Sequence, residues 1–252
     1  MFYWVTKYTL GMALKIVFRP YAWGVRNVPR RGSVILASNH LSFSDHFFGP
    51  LPVPRKVIFL AKSEYFTGRG LKGLLTKAFF TGVGQIPIDR AGGEASEVAI
   101  RTGLGVLAAG HVLGIYPEGT RSPDGRLYRG KTGVARLAIE SGAPVVPCAM
   151  IDTGKLQPPT VIWPDFTVRP GVRFGEPLDF SQYRGQADAT LLRAVTDEIM
   201  QAIAKLSGQE YVDIDARRAK ADMAAAAARD PGDRTGTANR DDADGQGGNG
   251  PA

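Results

Sequence analysis

Short apolar runs alternate with segments of helical periodicity between residues 20 and 208 of the chain. Short apolar runs predict buried strands, whereas apolar residues that recur every three or four positions predict helices. The expected strands are Val25–Val28, Val34–Ser38, Lys56–Leu60, Gly84–Ile88, Val112–Tyr116, Val145–Ile151, Val161–Val168 and Val172–Phe174. The expected helices are 2–19, Asp45–Gly49, Gly70–Thr81, Gly93–Ala109, Lys131–Ser141 and Ala187–Leu206. Strands that alternate with helices in this way predict an α/β layer fold.

The first expected helix has an unusual distribution of polar residues. Lys7, Gly11, Lys15 and Arg19 recur every four positions and form one narrow polar stripe, while apolar residues cover much of the remaining surface. An apolar helix with a basic stripe suits a membrane interface. A helix packed on the core, with its lysine side chains extended to water, has the same pattern. The sequence leaves both interpretations open.

The C-terminal part of the chain has a different composition. No Leu, Ile, Val, Phe, Tyr or Trp follows Met223, so the tail cannot bury a core. We therefore expect four segments along the chain. They are an N-terminal amphipathic membrane-associating helix (1–22), an α/β domain (23–208), a solvated helix (209–228) and a disordered tail (229–252).

The charge distribution points to an anionic partner. The chain of 252 residues carries a net charge of +7, and residues 1–90 hold 13 lysines and arginines against three acidic residues. A phosphate substrate, an anionic membrane or a nucleic acid would each fit, although no nucleic-acid recognition motif accompanies the charge. The single cysteine, Cys148, excludes an intrachain disulfide and fits a reducing compartment. We expect neither a signal peptide nor a transmembrane helix.

Polar side chains cluster directly after the expected strand Val34–Ser38, in the stretch "NHLSFSD". A tight turn into a helix could bring His40 and Asp45 together, and a carboxylate on one imidazole nitrogen raises the basicity of the other. His40 could then take a proton from an attacking hydroxyl. For a bare His–Asp pair, however, the plainer interpretation is favoured, in which Asp45 caps the next helix and His40 is a turn residue.

Two other chemistries of this stretch have weaker support. His40, Asp45 and His46 could be metal ligands, but the chain has only three histidines and the spacing matches no known site. Ser42 or Ser44 could be a nucleophile, but the glycine-flanked serine elbow G-x-S-x-G is absent from the sequence.

Two further stretches place an arginine just beyond a strand, "GQIPIDR" (Gly84–Arg90) and "YPEGTRS" (Tyr116–Ser122). A guanidinium group can hold phosphate oxygens in bidentate fashion, and a glycine such as Gly119 lets the backbone approach a ligand. Charged residues of this kind also form ordinary surface ion pairs, which is their usual role.

Taken in order, these stretches resemble the glycerolipid acyltransferase superfamily, and within it the 1-acyl-sn-glycerol-3-phosphate (lysophosphatidic acid) acyltransferase family. The blocks of that family read NHxSxxD, G-x-I-x-[IV]-[DK]-R, [FY]-P-E-G-T-R-S and a V-x-P strand. The matching residues are Asn39–Asp45, Gly84–Arg90, Tyr116–Ser122 and Val145–Pro147. The resemblance covers roughly residues 20–180, and it is more specific for the superfamily than for the acceptor substrate.

The resemblance implies a role for each motif residue. His40 would be the general base and Asp45 its orienting partner. The implied ligands of the acceptor phosphate and glycerol are Arg90, Glu118, Gly119, Thr120 and Arg121. The implied supporting residues of the motifs are Asn39, Ser42, Gly84, Pro117 and Pro147.

The resemblance also implies the fold, the reaction and the partners. We expect a mixed sheet flanked by helices, with the N-terminal helix docked on an anionic membrane surface. The reaction would move a fatty acyl group from acyl-CoA or acyl carrier protein to the sn-2 hydroxyl of lysophosphatidic acid, without a metal or other cofactor. The alternative keeps this chemistry on another lysophospholipid or lipid alcohol. The expected location is the cytoplasmic face of the cell membrane, with no nucleic-acid partner.

A remote alternative from another class is a nucleotide-binding protein, because "GRLYRGKT" (Gly125–Thr132) matches the P-loop pattern. A P-loop joins a strand directly to a helix. Here the expected strand ends near Tyr116, and a polar loop follows before the pattern begins. The glycines are also separated by Leu127, Tyr128 and Arg129, which fit poorly where backbone must wrap a phosphate.

Overall fold

A computed structural model describes residues 2–63, 66–68, 70–88, 95–159, 161–186 and 188–229. The helices are α1 (Phe2–Phe18), α2 (Asp45–Phe48), α3 (Gly70–Gly82), α4 (Ala95–Ala108), α5 (Gly133–Ser141), α6 (Thr153–Leu156), α7 (Ala189–Ser207) and α8 (Ala216–Arg229). The strands are β1 (Tyr21–Trp23), β2 (Val34–Ser38), β3 (Val57–Lys62), β4 (Gln85–Ile88), β5 (Val112–Ile115), β6 (Leu127–Tyr128), β7 (Val145–Ile151), β8 (Gly171–Phe174) and β9 (Tyr211–Val212). Residues 230–252 of the expected disordered tail lie outside the described residues.

Seven strands form one mixed sheet in the order β1-β8-β7-β2-β5-β3-β4. Strands β7, β2, β5, β3 and β4 are parallel, and only the β7–β8 pairing is antiparallel. The expected α/β fold with a mixed sheet is therefore confirmed. Because β2 and β5 are parallel neighbours, the segments that follow Ser38 and Ile115 leave the sheet at the same edge. Ligand sites in open α/β sheets commonly lie at this edge.

Each face of the sheet is covered by a separate apolar layer. Neighbouring side chains of a strand point to opposite faces, so Ile35 and Leu36 of β2 enter different layers. The Ile35 layer includes Leu137 of α5 and Ile199 of α7. The Leu36 layer includes Phe18 of α1. Parallel strands that are buried on both faces explain why their sequences are continuous apolar runs rather than alternating ones.

Two of the expected strands are wrong. Val25–Asn27 is a 3-10 helix, because Gly24 adopts a left-handed conformation and turns the chain, and the pairing strand is the preceding β1. The expected strand Val161–Val168 is an irregular loop, although it is rich in the β-branched and aromatic residues that are typical of strands. In addition, β1, β6, β9 and α6 are elements that the sequence pattern did not predict.

A small second sheet joins the C-terminal segment to the domain. β6 pairs with β9, and Ala216 and Ala219 of α8 are buried beside Tyr128. The expected solvated helix is therefore α8, and one of its faces packs on the protein. The expected division at residue 22 falls inside β1, which belongs to the main sheet.

Helix α1 directs apolar side chains outward and, in its first half, polar ones towards the protein. A helix on a water-facing surface has the opposite arrangement. The first half of the predicted polar stripe faces the protein, since Gly11 packs against Leu51 and the Lys7 ammonium donates hydrogen bonds to the carbonyls of Pro50, Val53 and Arg55. The second half, Lys15 and Arg19, is exposed. Burial and, secondarily, the charge of Lys15 lower the pKa of Lys7 to about 8. The outward side chains are Phe2, Trp4, Val5, Tyr8, Met12, Ile16 and Val17.

Helix α3 also exposes apolar residues beside α1. Leu71, Leu74, Leu75 and Phe79 are exposed, while Gly82 lies against Phe2 and Thr6 of α1. Neither helix spans a membrane: within the described part of the chain, no helix is both long and apolar enough to do so.

Candidate active site

The turn after β2 brings His40 and Asp45 into direct contact. His40 Nδ1 lies 2.8 Å from Asp45 Oδ2, and the same oxygen accepts the backbone N–H groups of Leu41 (2.7 Å) and Ser42 (2.8 Å). Three donors on one fully buried carboxylate oxygen hold the turn closed, whereas 12% of the His40 side chain is exposed. Because the carboxylate accepts from Nδ1–H, the lone pair of the imidazole is on Nε2. This nitrogen can take a proton from a bound hydroxyl.

Aromatic rings fix the plane of the His40 imidazole. The ring stacks on Tyr116 with a centroid separation of 3.9 Å and an interplanar angle of 10°. Tyr116 stacks in turn on Phe59, and His46 lies edge-on to both His40 and Tyr116. Tyr116 is the first residue after β5, so the neighbouring strand supplies the ring that orients the histidine.

Asn39 extends the pairing of β2 with β7 beyond the end of the strand. Its amide oxygen accepts from Met150 N (2.7 Å), and its amide nitrogen donates to Met150 O (3.1 Å) and to Gln209 Oε1 (2.7 Å). The side chain is fully buried. Asn39 therefore holds the start of the turn between β2 and α2 (residues 39–44), which carries His40.

The two serines of the motif are engaged away from His40. Ser42 Oγ donates to Gln157 O (2.8 Å), and Ser44 Oγ donates to Gln157 Oε1 (2.5 Å). Both serines are buried. This geometry does not support the alternative in which either hydroxyl is a nucleophile activated by His40, because a nucleophile must lie within hydrogen-bond reach of its base.

Glu118 links the turn after β2 to the backbone of β6. Its Oε2 accepts from His40 N (3.2 Å) and its Oε1 accepts from Tyr128 N (2.9 Å), and only 1% of the residue is exposed. Burial raises the pKa of Glu118 to about 7, although the two backbone N–H donors act in the opposite direction. Each oxygen thus holds a backbone N–H group of the site, and a contact between Glu118 and an acceptor glycerol stays a prediction.

The loop after β5 carries Arg121 and lies beside the turn that carries His40. Ser122 N donates to His40 O (2.8 Å), which fixes the loop against the turn. Gly119 has φ +71°, a conformation that favours glycine, and Thr120 and Arg121 are half-buried. Within the described residues Arg121 has no ion-pair partner. A half-buried arginine without a carboxylate partner is suited to bind an anionic ligand.

The remaining motif residues are structural or lie outside the description. Pro117 is buried, and its carbonyl accepts a hydrogen bond from Lys131 N. Pro147 lies on β7 opposite Ala37. Gly84 has φ +85° and passes within 2.4 Å, measured from an ideal Cβ, of Val57 O, so no larger residue fits there. Arg90, the other expected phosphate ligand, lies outside the described residues.

The segment Gly125–Thr132 does not form a phosphate-binding loop. Leu127 and Tyr128 form β6, and the backbone at Gly130 packs on Met200 of α7. A P-loop needs free backbone N–H groups between a strand and a helix, whereas Leu127 N, Arg129 N and Tyr128 N donate within the protein. This geometry argues against nucleotide binding at the segment.

Three residues that position the site were missed by sequence reasoning. Tyr116 stacks on His40, Gln157 binds both serines, and Gln209 bridges Asn39 and the Gly125 carbonyl (2.5 Å). Tyr116 lies inside a motif and could have been noticed for its position after the strand. Gln157 and Gln209 lie in irregular segments, and no local pattern marks them.

The fold and the site define an α/β protein with a histidine–carboxylate pair that can act as a base at the carboxyl edge of its sheet. The model of the family described as Acyltransferase matches residues 22–151 of the chain. The chain belongs to this family.

Several relatives are named 1-acyl-sn-glycerol-3-phosphate acyltransferases. The protein from Bacillus subtilis (strain 168) is 26% identical over 194 residues, which cover 73% of this chain and 85% of the relative. The Limnanthes alba protein is 37% identical over 121 residues, 48% of this chain and 41% of its own length. The chloroplastic BAT2 protein of Brassica napus is 26% identical over 157 residues, 62% of this chain and 44% of its own length. The chain thus spans less than half of the length of these plant relatives.

A solved structure shares the fold. The crystal structure of the 1-acyl-sn-glycerophosphate (LPA) acyltransferase PlsC from Thermotoga maritima superposes with a TM-score of 0.57 at 23% identity. The match covers 78% of this chain and 76% of PlsC.

Proposed function

We propose that the protein transfers a fatty acyl group from a thioester, acyl-CoA or acyl-acyl carrier protein, to the sn-2 hydroxyl of 1-acyl-glycerol-3-phosphate, which gives phosphatidic acid. The observation that carries this proposal is the His40–Asp45 pair at 2.8 Å, which adjoins the loop that holds Arg121. The names of the relatives support the same acceptor.

The proposed reaction needs one base and no acyl-enzyme. His40 Nε2 takes the proton of the acceptor hydroxyl as its oxygen attacks the thioester carbonyl. The carbon–sulfur bond breaks, and the imidazolium returns the proton to the leaving thiolate. Asp45 stabilises the imidazolium through Nδ1, and base catalysis of this kind contributes about 10²–10⁴ in rate. Positioning of the two substrates supplies much of the remainder.

Arg121 is the proposed ligand of the acceptor phosphate. Its loop is hydrogen-bonded to the backbone of His40, so a phosphate held there places the glycerol hydroxyls near the imidazole. Arg90 remains a second proposed ligand on sequence grounds. The reaction as proposed uses no metal or other cofactor, and we expect the rate to be unchanged by a chelator.

A shallow apolar cleft offers a site for an acyl chain. It lies between α1 and α2 and reaches His46, whose ring is 5.3 Å from that of His40. Its apolar walls include Leu10, Gly11, Leu14, Phe47, Pro50 and Leu51. An acyl chain in this cleft would bring its carbonyl end towards the turn that carries His40.

The outward apolar faces of α1 and α3 are the proposed docking surface on an anionic membrane. Seven apolar residues of α1 and four of α3 are exposed. Helices that face water rarely expose so many adjacent apolar side chains. Lysophospholipid and product both reside in the bilayer, so an enzyme that lies on its cytoplasmic face reaches them directly.

The experiment is an acceptor panel with purified full-length protein in mixed micelles. Thiol release from palmitoyl-CoA is followed with lysophosphatidic acid, lysophosphatidylcholine, glycerol 3-phosphate or a long-chain alcohol, and palmitoyl-acyl carrier protein replaces palmitoyl-CoA in a parallel series. We expect release to depend on lysophosphatidic acid. Thiol release with another acceptor but not with lysophosphatidic acid would support acyl transfer and refute lysophosphatidic acid as the acceptor. Release with none of the acceptors would refute the proposal.

A further inference from the structure

The irregular segment after α6 exposes a cluster of large apolar side chains. We call Val161–Phe166 the apolar loop. Ile162 is 82% exposed and Trp163 is 78% exposed, and Val161 and Phe166 are also exposed. Single exposed apolar residues are common, but four within six residues form a patch that is unfavourable in water unless a partner covers it.

The apolar loop is held in this shape by hydrogen bonds at its base. Gln157 Nε2 donates to Ile162 O (2.8 Å), and Asp165 N donates to Leu156 O (2.7 Å). Asp165 also caps the turn that follows, since its Oδ1 accepts from Thr167 N and Oγ1. The backbone therefore presents Ile162 and Trp163 outward instead of allowing them to fold back on the protein.

The loop packs against the C-terminal end of α1. The ring of Phe166 stacks on that of Phe18, the last residue of α1, with centroids 5.4 Å apart and planes 11° apart. Exposed cations adjoin this junction: Arg169 Nε donates to Arg19 O at 2.6 Å, and both side chains are exposed. An apolar surface with a tryptophan and a basic border is complementary to the interface of an anionic bilayer.

The base of the loop is also hydrogen-bonded to the turn that carries His40. Gln157, which holds Ile162, accepts hydrogen bonds from Ser42 Oγ and Ser44 Oγ. Those serines lie between His40 and the helix that Asp45 begins. Gln157 thus joins the exposed tip of the loop to the turn that carries His40.

We propose that the apolar loop is a third membrane contact, which inserts Ile162 and Trp163 into an anionic bilayer beside α1. The inference rests on the membrane-bound acyl transfer proposed above and adds a loop that Gln157 joins to the turn that carries His40. Lipid is the favoured occupant over a second copy of the chain because exposed Arg19 and Arg169 border the loop where it packs on the end of α1, whose neighbouring residue Val17 is also exposed.

The first test is sedimentation of the full-length protein with vesicles of equal parts phosphatidylcholine and phosphatidylglycerol. Ile162→Ser/Trp163→Ser should lower the partition coefficient roughly tenfold or more, since burial of one large apolar side chain is worth about that factor. Ile214→Ser, an exposed apolar residue beside β9, is the matched control and should bind as wild type. Arg19→Gln/Arg169→Gln should weaken binding to these vesicles but not to pure phosphatidylcholine.

The second test reports on Trp163 with the loop intact. The chain has three tryptophans, so Trp4→Phe/Trp23→Phe leaves Trp163 as the only indole. Its emission should shift to the blue on addition of the mixed vesicles, and acyl-brominated lipid should quench it. Emission that remains typical of an aqueous indole while the protein is bound would refute insertion.

The results of these binding experiments test the loop contact independently of the proposed acyl transfer. Unchanged partition of the double variant would refute the loop contact even if wild type transfers acyl groups. Loss of partition in a protein that transfers no acyl group would support the loop and refute the proposed reaction. If wild type forms dimers in the absence of lipid, and the double variant forms none but partitions to vesicles as wild type does, the loop would be assigned to self-association. Equal unfolding temperatures confirm that the variants are folded.

Discussion

Protonation of Glu118 should make the stability of the protein depend on pH. The carboxyl group is 1% exposed and is held between the N–H groups of His40 and Tyr128. Its pKa rises from an ordinary 4.5 to about 7 because burial disfavours the ionised form. The folded protein therefore binds a proton more tightly than the unfolded chain does.

The sign and size of the effect follow from this shift. Between pH 4.5 and 7 the folded state holds more protons than the unfolded state, so the free energy of unfolding falls as pH rises. The contribution is fully present below pH 4.5 and is lost once the pH passes about 7. A shift of this size corresponds to roughly 3 kcal/mol, which is a large share of the stability of a typical domain.

The assay is urea unfolding at a series of pH values across this window, for wild type and Glu118→Gln. The amide does not titrate, so the variant should lose roughly 3 kcal/mol of the pH dependence, whatever its absolute stability. Glu198→Gln, on the exposed side of α7, is the matched control and should retain the wild-type slope. A variant curve parallel to that of wild type would show that Glu118 does not carry the shifted proton.

Three further predictions concern the site. Asp45→Asn should lower kcat about 10²–10⁴-fold, because the imidazolium loses its counter-charge, and an unchanged kcat would remove Asp45 from the proposed mechanism. Arg121→Ala should raise the acceptor KM more than the donor KM, whereas equal changes in steady-state assays would contradict a phosphate contact. Gln209→Leu should cost about 1–3 kcal/mol in urea unfolding, since it removes hydrogen bonds to Asn39 and Gly125. No loss of stability would show that this bridge is dispensable.

The sequence predicts the parallel centre of the sheet well because those strands are apolar on both faces. β2, β5 and β7 are continuous apolar runs, and each was expected within about one residue of its observed bounds. β1 was missed because it is a three-residue edge strand between Pro20 and Gly24, and its pairing with β8 is distant in sequence. A pattern search has no signal for such a strand.

The failures on the surface have a common cause. The apolar loop has the β-branched and aromatic residues of a strand, but its backbone hydrogen bonds are made within its own turns and base. Lys7 was expected in a polar stripe, and it instead satisfies carbonyls that lie 43 to 48 residues further along the chain. Periodicity reports which residues share a face, but not whether that face meets protein, water or lipid.

The candidate site was only partly predictable for similar reasons. The contact of His40 with Asp45 follows from a turn of five residues, so local spacing suggests it. The role of Glu118 in holding backbone, and the bridges made by Gln157 and Gln209, depend on residues more than 75 positions apart. Contacts of this range arise from the topology of the sheet.

Thiol release from palmitoyl-CoA by wild type and His40→Ala, with and without lysophosphatidic acid, tests the central claim most directly. His111→Ala, an exposed histidine before β5, is the matched control. We predict acceptor-dependent release by wild type and His111→Ala, and its loss in a folded His40→Ala protein. Acceptor-dependent release that persists in His40→Ala would contradict the assignment of His40 as the base.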